Sequence, residues 1–105
     1  MKTSELTGVF LDWAVTKAEG LSHDFEGPTS IWGCHGWATS WEMGGPIIER
    51  ERIAIWGDGD LHWEAEWGWH WAKGETPLVA AMRCYVASQL GDEVDIPDQL
   101  MGVAA

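Results

Sequence analysis

The sequence predicts an α+β fold in which a small antiparallel sheet, a hairpin plus one short strand, packs against N- and C-terminal helices. Three observations predict it. Apolar residues recur at helical spacing near both ends of the chain. An alternating stretch, LHWEAEWGWHW at 61–71, follows the turn-forming GDGD at 57–60. A chain of 105 residues is the size of one domain, and its nine tryptophans supply the apolar bulk for a core.

The first helix is expected over 4–19. Leu6, Val9, Phe10, Trp13 and Ala14 share one face, widened by Leu11 and Val15, and Glu5, Gly8, Asp12, Thr16 and Glu19 line the other. Thr3 or Ser4 can accept the first free backbone N–H groups, and Gly20 suits a left-handed stop. A short strand near Leu21–Glu26 would return the chain along this helix. The glycine-rich segment that follows, to Gly45, has no sustained period and is expected as an ordered loop. Its Trp32, Trp37 and Trp41 either anchor it to the core or wait for a contact, since an indole is a large apolar group with one donor to satisfy.

Pro46 after two glycines suits the first position of a short helix at 46–51, where its missing N–H costs nothing. A strand from Arg52 to Trp56 and a second from Leu61 to Trp71 then form an antiparallel hairpin across the GDGD turn. In the second strand Leu61, Trp63, Ala65, Trp67, Trp69 and Trp71 fall on one face, with Trp63, Trp67 and Trp69 expected against the core. His62, Glu64, Glu66 and His70 fall on the other, facing solvent. Thr76-Pro77 opens the last helix and Gly91 closes it. Its broad apolar stripe (Leu78, Val79, Met82, Tyr85, Val86, Leu90) carries only Arg83 as a charge, so this helix is expected to be mostly buried.

Six basic residues against seventeen acidic ones give a net charge of −11, which repels phosphate backbones and disfavours direct nucleic-acid binding. A helix, three strands and a helix also make the double-stranded RNA-binding domain, but that fold works through the lysine and arginine contacts this chain lacks. The sequence has no signal-like start and no run of about 20 apolar residues, so no membrane association is expected and the expected compartment is the cytoplasm. Cys34 and Cys84 are expected as reduced structural thiols.

No catalytic or metal constellation emerges, and no cofactor is expected. His62 and His70 would stand roughly 26 Å apart on one strand, too far to share an ion. Cys34 and His35 are sequence neighbours, which rarely reach the geometry of a thiolate–base pair. An enzyme is the least favoured class of function, and two others stand ahead of it. One is a non-enzymatic binding or inhibitory accessory protein that contacts a partner protein through the 28–45 loop and the adjoining hairpin. The other is a binder of a small, nucleotide-like ligand in a Trp-lined pocket that includes Arg83 or His35. The candidate contact residues are Trp32, His35, Trp37, Trp41 and Trp71. A Trp-rich sheet with one uncovered face would also invite a homodimer.

Three blocks carry a family resemblance: ELTGVFLDWAVTKAEG at 5–20, GGPIIERERI at 44–53 and TPLVAAMRCYVASQLGDEVDIPDQL at 76–100. Together, and in this order, they resemble the NinX-like family of bacteriophage and prophage proteins. The resemblance implies a phage accessory protein acting on a host or phage protein in the bacterial host cytoplasm and supplies no functional residue set. Between Gly27 and Met43 this chain departs from the family pattern, reading SIWGCHGWATSW where relatives are polar.

Overall fold

A computed structural model describes residues 1–20, 36–59, 62–97 and 100. The expected strand at 21–26, together with Trp32, Cys34 and His35, lies outside the described residues. The elements run α1 (Gly8–Ala18), α2 (Trp41–Glu51), β1 (Ala54–Gly57), β2 (Trp63–Trp67), β3 (His70–Gly74) and α3 (Pro77–Leu90), preceded by a 3-10 turn at Thr3–Glu5. This is a small α+β fold, as the sequence predicts.

The sheet is antiparallel in the order β1-β2-β3. Ala65 of β2 and Ala72 of β3 join the buried core, in which α3 contributes Ala80, Ala81, Met82, Cys84, Tyr85 and Val86. Gly74 explains how closely α3 approaches: a Cβ there would stand 2.5 Å from the Ala80 backbone nitrogen. On its far side α3 meets α1 and α2, so it is the middle layer of three, and eight of its fourteen residues are buried. Thr76 caps it, its hydroxyl accepting from the Val79 N–H at 3.1 Å, and Pro77 occupies the first turn as expected.

The N-terminal helix is shorter than its apolar spacing suggests. Thr7 is extended and Gly8 sits at φ +53°, which breaks the helix from the 3-10 turn before it. The cause is tertiary. The Thr3 N–H donates to Asp92 O at 2.8 Å and the Thr3 hydroxyl to Gly91 O at 2.7 Å, while Met1 and Val94 exchange bonds of 3.0 and 2.9 Å. These pull residues 1–5 onto the segment after α3. Leu6, at the break, is fully buried, and its carbonyl accepts from Arg83 Nε at 2.8 Å.

The middle helix starts five residues earlier than expected and carries Pro46 inside it. An interior proline removes one helical hydrogen bond and costs about 3 kcal/mol. Burial of Ile47, with Met43 and Ile48 packed on the core, offsets that cost. Gly44 is required where α2 meets residue 37, since a Cβ would lie within 2.3 Å of the Trp37 carbonyl oxygen. The helix ends at Arg52 in the left-handed region (φ +57°), with Arg52 N–H donating to Glu49 O and Ile53 N–H to Ile48 O, the paired bonds of a Schellman stop.

The hairpin of β1 and β2 forms as expected, although β1 begins at Ala54. The single strand expected over 61–71 is instead two. Trp67 pairs with His70, enclosing a two-residue turn with Gly68 at φ +59°, and β3 returns to Gly74. Glycine at the first position of a two-residue turn matches strand twist without steric cost. The turn inverts the parity of everything after it. Trp71 pairs with Glu66 and so shares its face, and His70 joins the Trp67 side. Trp69, expected in the core, sits at the tip and is fully exposed, while Trp63 lies at the sheet end and remains 38% exposed. Of the three indoles expected against the core, Trp67 alone packs on it as a half-buried neighbour.

Candidate functional site

The sheet presents two chemically different faces. The inner face, Ile55, Ala65, Trp67, Ala72 and Gly74, meets α3. The outer face follows from the register: one cross-strand row is Trp56, Glu64 and Lys73, and the next is Ala54, Glu66 and Trp71. Five of these six residues are exposed and Glu64 is half-buried. Trp71 is 53% exposed and Trp56 38%. Each glutamate of the central strand therefore has an indole as its direct cross-strand neighbour, Glu64 beside Trp56 and Glu66 beside Trp71. Lys73 reaches over the Trp71 ring, its Nζ 5.4 Å from the centroid.

Trp71 also lines an open cleft of about 210 Å³ with Lys2, Ser4, Arg83, Asp92 and Glu93. Arg83 is less available there than its charge suggests. Beyond its bond to Leu6 O, its Nη1 donates to Lys73 O at 2.8 Å, so the guanidinium ties the start of the chain and β3 to α3. Burial lowers its pKa from the ordinary arginine value.

Trp41 and Trp37, only four residues apart, are placed in opposite environments. Trp41 is 56% exposed and borders a shallow groove of about 310 Å³ with Thr39, Pro77, Leu78 and Val79. Trp37 is 7% exposed and belongs to the core. Its indole N–H donates to the buried Thr16 hydroxyl at 2.9 Å, and Thr16 in turn donates to Asp12 O at 2.8 Å. The neighbouring Ala38 N–H donates to the Asp12 carboxylate at 3.2 Å. Asp12 and Thr16, one turn apart on α1, together hold residues 37–38. Trp32 and His35 fall outside the described residues.

The polar cluster that joins the helices is a structural strap. Arg50 of α2 makes a bidentate pair with Glu19 at 3.0 and 2.7 Å and a further bond to Glu51 at 2.7 Å, and the Tyr85 hydroxyl of α3 donates to the same Glu19 carboxylate. The Arg50 bonds hold the Glu19 carboxyl below its usual range, while burial and the bond to Glu19 push the Tyr85 hydroxyl up. Cys84 is a free, buried thiol whose Sγ lies 3.5 Å from His70 O, and desolvation raises its pKa to about 11. Such a thiol is a poor nucleophile. Among the described residues no three His, Cys, Asp or Glu side chains gather in a metal-holding group. No described helix is long and apolar enough to cross a membrane.

The sequence pattern grouped Glu64, Glu66 and His70 on one face and left Trp56 unremarked. The available signal was Gly68 in the middle of the alternation, because a turn there exchanges His70 for Trp71 and puts Trp56 and Trp71 around the two glutamates.

None of the curated proteins matches the chain. The family model described as Bacteriophage P22, NinX matches residues 2–89, from the N-terminal tether through nearly all of α3, and the chain belongs to this NinX family of bacteriophage proteins.

Proposed function

We propose that this phage accessory protein acts in the bacterial host cytoplasm without catalysis, by binding a host or phage protein through the outer face of its sheet. The observation that carries this reading is the exposure of Trp56 and Trp71 on a sheet face opposite the helices. Tryptophan is enriched among residues that dominate binding energy, and exposed apolar surface rimmed by polar residues marks interaction sites. The groove beside Trp41, lined by the starts of α2 and α3, is a separate, secondary contact region. The test is affinity capture of the tagged protein from infected cells, wild type against a Trp56→Ser/Trp71→Ser double variant of unchanged thermal stability. A protein captured by the wild type and lost from the variant supports the reading; equal capture by both overturns it.

A second reading, a small nucleotide-like ligand, is favoured by the cleft in which Lys2 adjoins Trp71, its wall formed in part by the Arg83 guanidinium that the Leu6 and Lys73 carbonyls hold in place. Quenching of tryptophan fluorescence by mononucleotides, abolished by Trp71→Ser, would support it.

A further inference from the structure

We infer that the outer sheet face is built for an extended segment of a partner protein that carries arginines at alternate positions, an Arg-x-Arg strand; this inference deepens the reading above and rests on it. Four observations lead there.

The first is that the face is a repeat of one chemical pair. Glu64 stands beside Trp56 and Glu66 beside Trp71, each in direct cross-strand register. A carboxylate next to an indole fits a guanidinium, which donates two parallel N–H bonds to the carboxylate while its plane stacks on the ring. An ammonium satisfies only part of this arrangement.

The second is spacing. Glu64 and Glu66 are two residues apart on one strand, so their side chains project in parallel about 7 Å apart. Side chains at alternate positions of an extended partner repeat at the same interval, so two arginines separated by one residue meet both pairs at once.

The third is vacancy of charge. Lys73, the cross-strand partner of Glu64, turns its ammonium over Trp71, and among the described residues neither Glu64 nor Glu66 forms an ion pair. Lys73 also shows that the Trp71 ring accepts a cation.

The fourth is the field around the face. A chain of net charge −11 attracts a basic segment from a distance and repels acidic competitors. Ala54, in the same row as Glu66 and Trp71, leaves room for the partner backbone.

The probe is a synthetic peptide Gly-Ser-Arg-Thr-Arg-Ser-Gly, compared with an isomer whose arginines are adjacent, titrated into the full chain and followed by NMR of the tryptophan indole N–H groups. The expected result is a shift confined to Trp56, Trp71 and the strand amides, with the adjacent-arginine isomer at least fivefold weaker. Glu64→Gln/Glu66→Gln should weaken binding at least tenfold. Glu5→Gln/Glu49→Gln, which removes the same charge from exposed positions elsewhere, should change it less than twofold. Equal weakening by the two double variants would mean attraction to bulk charge and overturn the inference, as would shifts centred on Trp41. Running Glu64→Gln/Glu66→Gln in the capture experiment separates the two levels. If that variant keeps a protein which Trp56→Ser/Trp71→Ser loses, the face binds protein but not through arginines, and the inference alone fails. If the chain instead self-associates through Trp71 in sedimentation, the occupant is a second copy and the inference is again overturned.

Discussion

Replacing Trp37 by alanine should remove a large part of the stability of this domain, although Trp37 sits in a glycine-rich stretch of the kind expected to serve as a contact loop. The indole is 7% exposed within the core, so truncation loses its burial and leaves a cavity, a change worth about 3–5 kcal/mol for a buried aromatic. It also removes the donor to the buried Thr16 hydroxyl, which keeps only its own bond to Asp12 O. At about 4 °C or more per kcal/mol for a domain of this size, the melting temperature should fall by at least about 12 °C. Trp37→Phe separates the contributions: it keeps most of the apolar volume, loses the N–H, and should cost about 1–3 kcal/mol. Trp41→Ala is the control, because a 56% exposed indole should cost less than about 1 kcal/mol. The assay is urea denaturation followed by far-UV circular dichroism, with the slope checked for two-state behaviour. A loss below about 1 kcal/mol for Trp37→Ala, or a larger loss for Trp41→Ala, would refute the assignment of Trp37 to the core.

Gly74→Ala should destabilise by about 1–3 kcal/mol or more, since the added Cβ would meet backbone atoms of Ala80, which cannot swing aside as a side chain can; thermal melting reads this directly. Glu19 has a folded pKa below its ordinary value of 4.5, so its contribution is complete above that pH and is lost as pH falls through the lowered value. Glu19→Gln should therefore flatten the acid limb of the stability curve between neutral pH and pH 3, measured by denaturant midpoints at each pH. Cys84, buried with its pKa raised to about 11, should resist iodoacetamide at pH 8 in the folded state and react quickly in 6 M guanidinium, with peptide mass spectrometry locating the label.

The terminal helices, the hairpin around GDGD and the burial of the last helix were legible because each rests on a local rule: helical spacing, a cap, or turn residues that tolerate positive φ. The α2 start was not legible, because Gly44-Gly45-Pro46 argues locally against a helix. The gain that outweighs it, burial of Ile47 and the close approach to Trp37 and Leu78, exists only after the chain has folded. Trp37 and Trp41 share a residue type and a neighbourhood, and nothing within four residues distinguishes them. The partner that does is Thr16, 21 residues away.

By itself the sequence determined the fold class, the acidic character and the family, since these depend on composition, spacing and the identity of long blocks. The tertiary structure alone decided which indoles face outward. A period-2 pattern assigns faces only relative to one another and only within an unbroken strand. One glycine at φ +59° after Trp67 ends that strand and reverses the assignment, moving Trp71 beside Glu66 and leaving Trp69 at the tip. The candidate contact face is the product of that reversal together with the register of β1, which brings Trp56 beside Glu64.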